Sequence, residues 1–319
     1  VRSCIALLAM ATMWVVGCTS PRVDHPQSAA PSNKPNPNPP GPDAAGPGTP
    51  CCASQECGTS KVPLCEGSWC GGCAFGGVCL SGFCFDDIFW TPVAAFEGQG
   101  LLGCNPDTGV DCAEDDQPQL SITTDLFEIA PLETTVREYF DCVDSGACSE
   151  PGFDEGCHTR ESGDDLPVNC VSQEQAQQFC EHREMRLCTE AEWEIAARGN
   201  CEAWPELGCE EVPQAVWGNE RPDCEQANLA GCSGAPVAVG TTYGGSAATA
   251  SEMVGNVAEW TSSFYSVDTY ETGEWPTEGD LAVVRGGSFN SEDFRATRRA
   301  FAEQGAQSPE IGIRCCRNP

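Results

Sequence analysis

Three stretches of the chain carry apolar side chains with the period of an α-helix, and each opens on a capping signature. Thr135 stands three residues before Glu138, and Val136, Tyr139, Phe140 and Val143 then fall on one face, with Gly146 where the chain should leave the helix. Ser172 and Gln175 form a second box that turns Ala176, Phe179 and Cys180 inward. Thr189 and Glu192 form a third, with Trp193, Ala196 and Ala197 inward and Gly199 at its end. Strands are expected to be short, at 121–122, 127–129, 237–239, 283–285 and 311–315. Much of the rest is Gly-rich loop, where periodicity says little.

A different pattern opens the chain. Residues 4–16 form one apolar run. It is shorter than the roughly 20 residues that span a bilayer, and it suits the apolar region of a secretory signal. The run ends Val15-Val16-Gly17-Cys18, which resembles a bacterial lipobox. The expectation is a lipoprotein signal peptide over 1–17 and lipidation of Cys18. Thr19 rather than Asp after that Cys resembles the outer-membrane sorting pattern, so the expected location is the bacterial cell envelope, anchored in the outer membrane by lipid. Residues 18–50 read as a Pro-rich disordered tether, without Leu, Ile or aromatic side chains to build a core. Extended polyproline geometry gives it a reach of about 100 Å at ~3.1 Å per residue. Residues 51–84 hold Cys51, Cys52, Cys57, Cys65, Cys70, Cys73, Cys79 and Cys84 and few large apolar side chains. Cross-links must hold such a segment together, so it reads as a disulfide module. Cys70-Gly-Gly-Cys73 also has zinc-knuckle spacing, but the segment has no His.

Charge and cysteine usage narrow the setting. The 319 residues carry a formal charge of −32. Residues 1–89 hold 4 basic and 6 acidic groups, whereas 90–319 hold 12 and 42, and all 12 are Arg. A body this acidic repels nucleic acid and anionic headgroups, which are excluded as primary partners. The 24 cysteines point to an oxidising compartment. Fourteen lie beyond residue 84, and the close pairs Cys104/Cys112, Cys157/Cys170, Cys201/Cys209 and Cys224/Cys232 invite local bridges.

Six ordered segments then carry a resemblance. They are PVNCVSQEQAQQFCEHREMRLCTEAEWEIAARG (167–199), VWGN (216–219), EMVGNVAEW (252–260), VRGGSF (284–289), RATRR (295–299) and GIRCC (312–316). Their order and spacing resemble the formylglycine-generating enzyme, or sulfatase-modifying factor, family over roughly 85–319. The resemblance implies an α+β fold, irregular, loop-rich and C-type-lectin-like. It also implies a disulfide between Cys180 and Cys315. A further bridge of many members has Ala197 and Arg298 or Arg299 in its places here.

Active members of that family oxidise a sulfatase Cys with a copper-binding pair of thiolates. Those thiolates lie just after the Gly-Gly-Ser of the VRGGSF segment. Here Phe289, Asn290, Ser291, Glu292, Asp293 and Phe294 follow, and no Cys stands between Cys232 and Cys315. A neutral hydroxyl neither ligates Cu(I) nor cycles through oxidation. Copper is therefore not expected, and no catalytic residue is assigned. An offshoot of the family uses iron and several His. This chain has only His25, His158 and His182, too few and too scattered for a facial iron site.

The resemblance implies calcium as the cofactor, in a structural role at the turn in 252–260. Glu252 and Glu259 would supply carboxylates, and Gly255 and Val257 main-chain carbonyls, all hard oxygen donors. A second family site would start at Asn228-Leu229, but the loop completing it is shortened to 230–239. The Arg cluster of Arg285, Arg295, Arg298, Arg299, Arg314 and Arg317 is expected chiefly to fork onto carboxylates and hold loops. The sequence thus favours a lipid-anchored binding or scaffold protein whose domain lacks the redox pair. Its partner would be a peptide, a glycan or a cell-wall ligand. The two other readings are a formylglycine-generating oxidase and a structural surface protein.

Overall fold

The computed structural model describes residues 93–108, 111–199, 220–242 and 250–319, with the strands of two short hairpins before them. The chain separates into two units, Val1–Asp43, which lies outside the described residues, and Ala44–Pro319. The signal, the tether, Cys18, VWGN and the Cys201/Cys209 pair all fall outside the described residues. The hairpins pair β1 (Lys61–Val62) with β2 (Cys65–Glu66), and β3 (Val78–Leu80) with β4 (Phe83–Phe85). No helix among the described residues is long and apolar enough to cross a membrane.

The body is α+β. One sheet runs β5 (Val93–Leu102), β6 (Leu120–Ile129), β12 (Cys315–Arg317) and β7 (Arg186–Leu187) in that spatial order. The other runs β10 (Ala300–Glu303), β9 (Leu281–Arg285), β8 (Ala258–Phe264) and β11 (Ile311–Gly312). All three capping boxes form, on α1 (Val136–Asp144), α2 (Gln173–His182) and α3 (Glu190–Arg198). Gly146 leaves α1 at φ +80° and Gly199 ends α3 at φ +89°, the left-handed region that favours glycine. On α1, Cys142 takes the fully buried place because it bonds to Cys148, and Val143 is only partly buried.

The core lies in two apolar clusters. α3 presses Trp193, Ile195, Ala196 and Ala197 against Leu102, Phe127 and Ile129. α2 presses Ala176, Phe179 and Cys180 against Tyr139, Trp260, Val284 and Ile313. The last strand joins both clusters covalently, through Cys180–Cys315 and Cys188–Cys316. The local bridges Cys104–Cys112, Cys157–Cys170 and Cys224–Cys232 form as well.

The strand expectations need correction. The two pieces at 121–122 and 127–129 belong to one ten-residue strand, β6. The 311–315 segment divides into β11 and β12, with Ile313 and Arg314 between them. Residues 237–239 are not a strand. The Asn256 side chain takes the bonds of Val237 instead, accepting from its N at 2.8 Å and donating to its O at 3.2 Å, while Val239 N donates to Asp165 O at 2.8 Å. β5, β8 and β10 were hidden in sequence. In β5 the alternation is broken by register shifts and by Gly100, where a Cβ would meet the Ile195 side chain at 2.8 Å.

Candidate functional site

Beyond β9 the chain makes a tight turn through the VRGGSF segment. Gly286 and Gly287 have φ of +93° and +68°. A Cβ on Gly286 would meet Met253 O at 3.0 Å and the Trp193 ring at 3.1 Å, so only glycine lets this turn lie against the core. Ser291 closes the turn. Its Oγ accepts from Ser288 N at 2.8 Å, its N donates to Ser288 O at 2.9 Å, and its O accepts from Ala230 N at 3.1 Å. Ser288 Oγ in turn donates to Glu310 at 2.7 Å. The Ser291 hydroxyl is thus spent on holding the loop.

The turn borders a cleft of about 390 Å³, lined among others by Asp115, Ser291, Asp293, Arg295, Arg298 and Arg299. Arg295 is forked by Asp293, with Nε to Oδ1 at 2.9 Å and Nη2 on Oδ2. Burial raises the Asp293 pKa, but the hydrogen bonds and charge of Arg295 outweigh it and hold the carboxyl below its ordinary value. Arg298 pairs with Asp115 at 3.1 Å and stays 41% exposed. Behind them lies Asp116, fully buried, 3.4 Å from Arg295 and 3.9 Å from Arg298. Burial pushes its carboxyl up to about 6, against the two guanidiniums.

Two of the clustered Arg join a buried acid network on α3. Arg285 bonds Glu190 at 3.0 Å and Glu194 at 2.6 Å, and Arg299 bonds Glu190 through Nε at 2.7 Å. Glu194 also accepts from Arg198 at 2.6 Å, Gly103 N at 2.7 Å and the Tyr270 hydroxyl at 2.8 Å. The inward Glu190 and Glu194 escaped the sequence reading. Their i,i+4 spacing beside Trp193 and Ala197 was the available signal. Arg317, the sixth, pairs with Glu128 at the sheet edge.

The residues expected at a calcium turn lie beside Glu133, which the sequence reading missed. Glu252, at φ +58°, accepts from Gly240 N at 2.7 Å, from Thr241 N and Thr242 N at 3.2 Å, and from Thr242 Oγ1 at 3.3 Å. Glu259 accepts from Arg314 Nε at 2.8 Å and Trp193 Nε1 at 2.5 Å. Glu133 accepts from Asn256 Nδ2 at 2.6 Å and Val257 N at 3.1 Å. Gly255 brings its backbone so close to Asn228 O that a Cβ would stand 2.5 Å away. Burial, then Glu252 and Glu259, push the Glu133 carboxyl well above its ordinary value. Burial likewise raises Glu252 and Glu259.

The donor chemistry fits a hard cation in part. Three buried acids share a single neighbouring guanidinium, Arg314, so the group is short of positive charge. Glu259 fits least, because Arg314 already neutralises it. Asn228 is occupied by Ala235 O, Ser233 and Asn256. His158 Nδ1 lies 2.7 Å from Pro167 O and His182 is exposed at the end of α2, and neither lines the cleft.

The profile of the Sulfatase-modifying factor enzyme 1-like domain family matches residues 96–319. The chain belongs to this family. It is 29% identical over 238 residues to the hercynine oxygenase of Mycolicibacterium smegmatis, covering 62% of this chain and 54% of that one. It is 31% identical over 168 residues to the formylglycine-generating enzyme of Streptomyces coelicolor, covering 47% and 52%. The chain therefore spans about half the length of these curated relatives. The structure of PvdO from Pseudomonas aeruginosa shares the fold with a TM-score of 0.57 and 20% identity, covering 72% of this chain and 99% of that one. Treponema denticola variable protein 1 does so at 0.52 and 20%, covering 71% and 94%. These family members and neighbours account for the irregular α+β architecture.

Proposed function

We propose that this chain is a lipid-anchored, extracytoplasmic binding or scaffold protein that displays a sulfatase-modifying-factor domain without that family's copper-dependent oxidation. The observation that carries this reading is Ser291, whose hydroxyl closes the 288–291 turn where redox thiolates would be needed. The cleft beside it offers Asp–Arg pairs suited to hydrogen-bonding a polar ligand such as a peptide, a glycan or a cell-wall fragment. The test is direct. The purified chain is incubated with Cu(I), oxygen and a peptide carrying Cys-x-Pro-x-Arg, and peptide mass is followed. The expected outcome is an unchanged Cys, and conversion to formylglycine overturns the reading in favour of an oxidase.

The anchor part of the proposal rests on Val15-Val16-Gly17-Cys18. Cys18→Ser is expected to shift the protein from the membrane fraction to the soluble one, and continued membrane retention contradicts it. The calcium part rests on the surplus of buried carboxylates around Glu252. Chelator is expected to lower the unfolding temperature, and an unchanged temperature removes calcium from the account.

A further inference from the structure

The Cys104–Cys112 bridge differs from the others in its surroundings. A carboxylate oxygen of Asp116 and both sulfurs lie within 4.8 Å of one another. Asp116 is 0% exposed and neither of its oxygens completes a hydrogen bond. Its charge is met only by guanidiniums at ion-pair range, Arg295 at 3.4 Å and Arg298 at 3.9 Å, so this buried carboxylate lies beside the disulfide without tight engagement. The Arg295 guanidinium completes the group, with Nη1 donating to Cys104 Sγ at 3.5 Å and to Asp111 O at 2.9 Å.

The backbone holds this arrangement in place. Cys104 N donates to Asp116 O at 2.6 Å. Gly103, at φ +85°, allows the approach, since a Cβ there would stand 2.9 Å from Asp116 O. Asp293 orients Arg295 from the cleft side. The two sulfurs are not equivalent. Cys104 is fully buried, whereas Cys112 is half-buried and so is the one within reach of a thiol.

We propose that Cys104–Cys112 is a redox-active disulfide that oxidises a protein or peptide dithiol, with Arg295 stabilising the Cys104 thiolate and Asp116 carrying its proton. A substrate thiolate attacks Cys112 Sγ. The Cys104–Cys112 bond breaks, and its electron pair stays on Cys104 beside Arg295. A positive neighbour lowers a thiol's pKa, and a leaving thiol of lower pKa departs faster. The substrate's second thiolate then attacks its own sulfur in the mixed disulfide and displaces Cys112. The substrate leaves as a disulfide, oxidised by two electrons. The two protons released by its thiols end on Cys104 and Cys112, the first relayed by Asp116. The carboxyl value of about 6 lets Asp116 both take and give a proton near neutrality. This goes beyond the binding role. It uses neither Ser291 nor copper, so a negative formylglycine assay leaves it standing.

The protein contains its own control. Cys224–Cys232 has the same sequence separation of 8, and Cys224 is exposed. If access alone governed reduction, Cys224–Cys232 would open first. The full chain is equilibrated in graded glutathione buffers, and each bridge is read by differential alkylation and mass spectrometry. Cys104–Cys112 is expected to reduce at the more oxidising poise, by about tenfold in equilibrium constant or ~30 mV. Arg295→Gln should remove that difference and Arg295→Lys should keep most of it. In single turnover, one equivalent of a reduced Cys-x-x-Cys peptide should be oxidised. Asp116→Asn should slow that step about tenfold, the scale of general acid–base effects being at least that large. The proposal is overturned if Cys104–Cys112 is no more oxidising than Cys224–Cys232, or if Arg295→Gln leaves its poise unchanged. A peptide that stays reduced overturns it as well.

Discussion

Glu190 and Glu194 on α3 are as buried as Asp116 behind the cleft, yet their surroundings are opposite. The α3 pair meets Arg198, Arg285 and Arg299 together with Tyr270 and Gly103 N, so each carboxylate is fully engaged. Asp116 has two guanidiniums at longer range and no completed hydrogen bond. The difference separates scaffold from site. A compensated acid network fixes where loops lie, because removing any member strands the others. An under-compensated acid costs stability and keeps its chemistry available. The Glu133, Glu252 and Glu259 group stands between the two, engaged by N–H donors but short of positive charge.

Four substitutions break or sharpen this contrast. The largest effect is expected from Arg285→Met, which leaves Glu190 and Glu194 without their shared partner. It should destabilise the domain by about 3–5 kcal/mol in denaturant unfolding. Asp116→Asn should act in the other direction. Its carboxyl, raised from 3.8 to about 6, binds a proton more tightly in the folded than in the unfolded chain. Stability of the parent therefore falls as pH rises from about 4 to about 6 and is flat above. The Asn variant lacks that loss. It should match the parent near pH 4 and exceed it by about 1–2 kcal/mol at pH 7. Thr189→Ala removes the cap that starts α3 and so loosens the scaffold side, by about 1 kcal/mol in the same unfolding measurement. The smallest effect belongs to Arg298→Ala. Its guanidinium is 41% exposed and Asp115 keeps its bond from the Tyr265 hydroxyl, so stability should fall by about 0.5 kcal/mol.

Much of the scaffold was legible in the sequence. Capping boxes are local codes, and all three were readable from residues three apart. The α+β class and the motif order followed from segments that the fold keeps contiguous. The strands were less legible. β5 carries its fold information in Gly100 and in register shifts, features that make sense only once α3 lies beneath it. The segment at 237–239 looked like a strand because it is short and apolar, but Val237 bonds to the Asn256 side chain and Val239 to Asp165 O, not to a neighbouring strand. At the cleft, the lack of a Cys between Gly287 and Cys315 was plain in sequence. The grouping of Asp116 with Arg295 and Cys104 was not, because Arg295 stands 191 residues from Cys104 and no local pattern links them. Buried charge pairs such as Arg285 with Glu190 hide for the same reason, being 95 residues apart.

The central claim is that the cleft keeps the family's frame without its soft-metal thiolates. A Cu(I) competition titration against a chelator of known affinity, with every disulfide kept oxidised, tests it most directly. The account predicts that the protein withdraws no Cu(I), since hydroxyl and carboxylate oxygens at 288–294 bind it poorly. One equivalent of tightly held Cu(I), retained while Cys104–Cys112 remains oxidised, would contradict it.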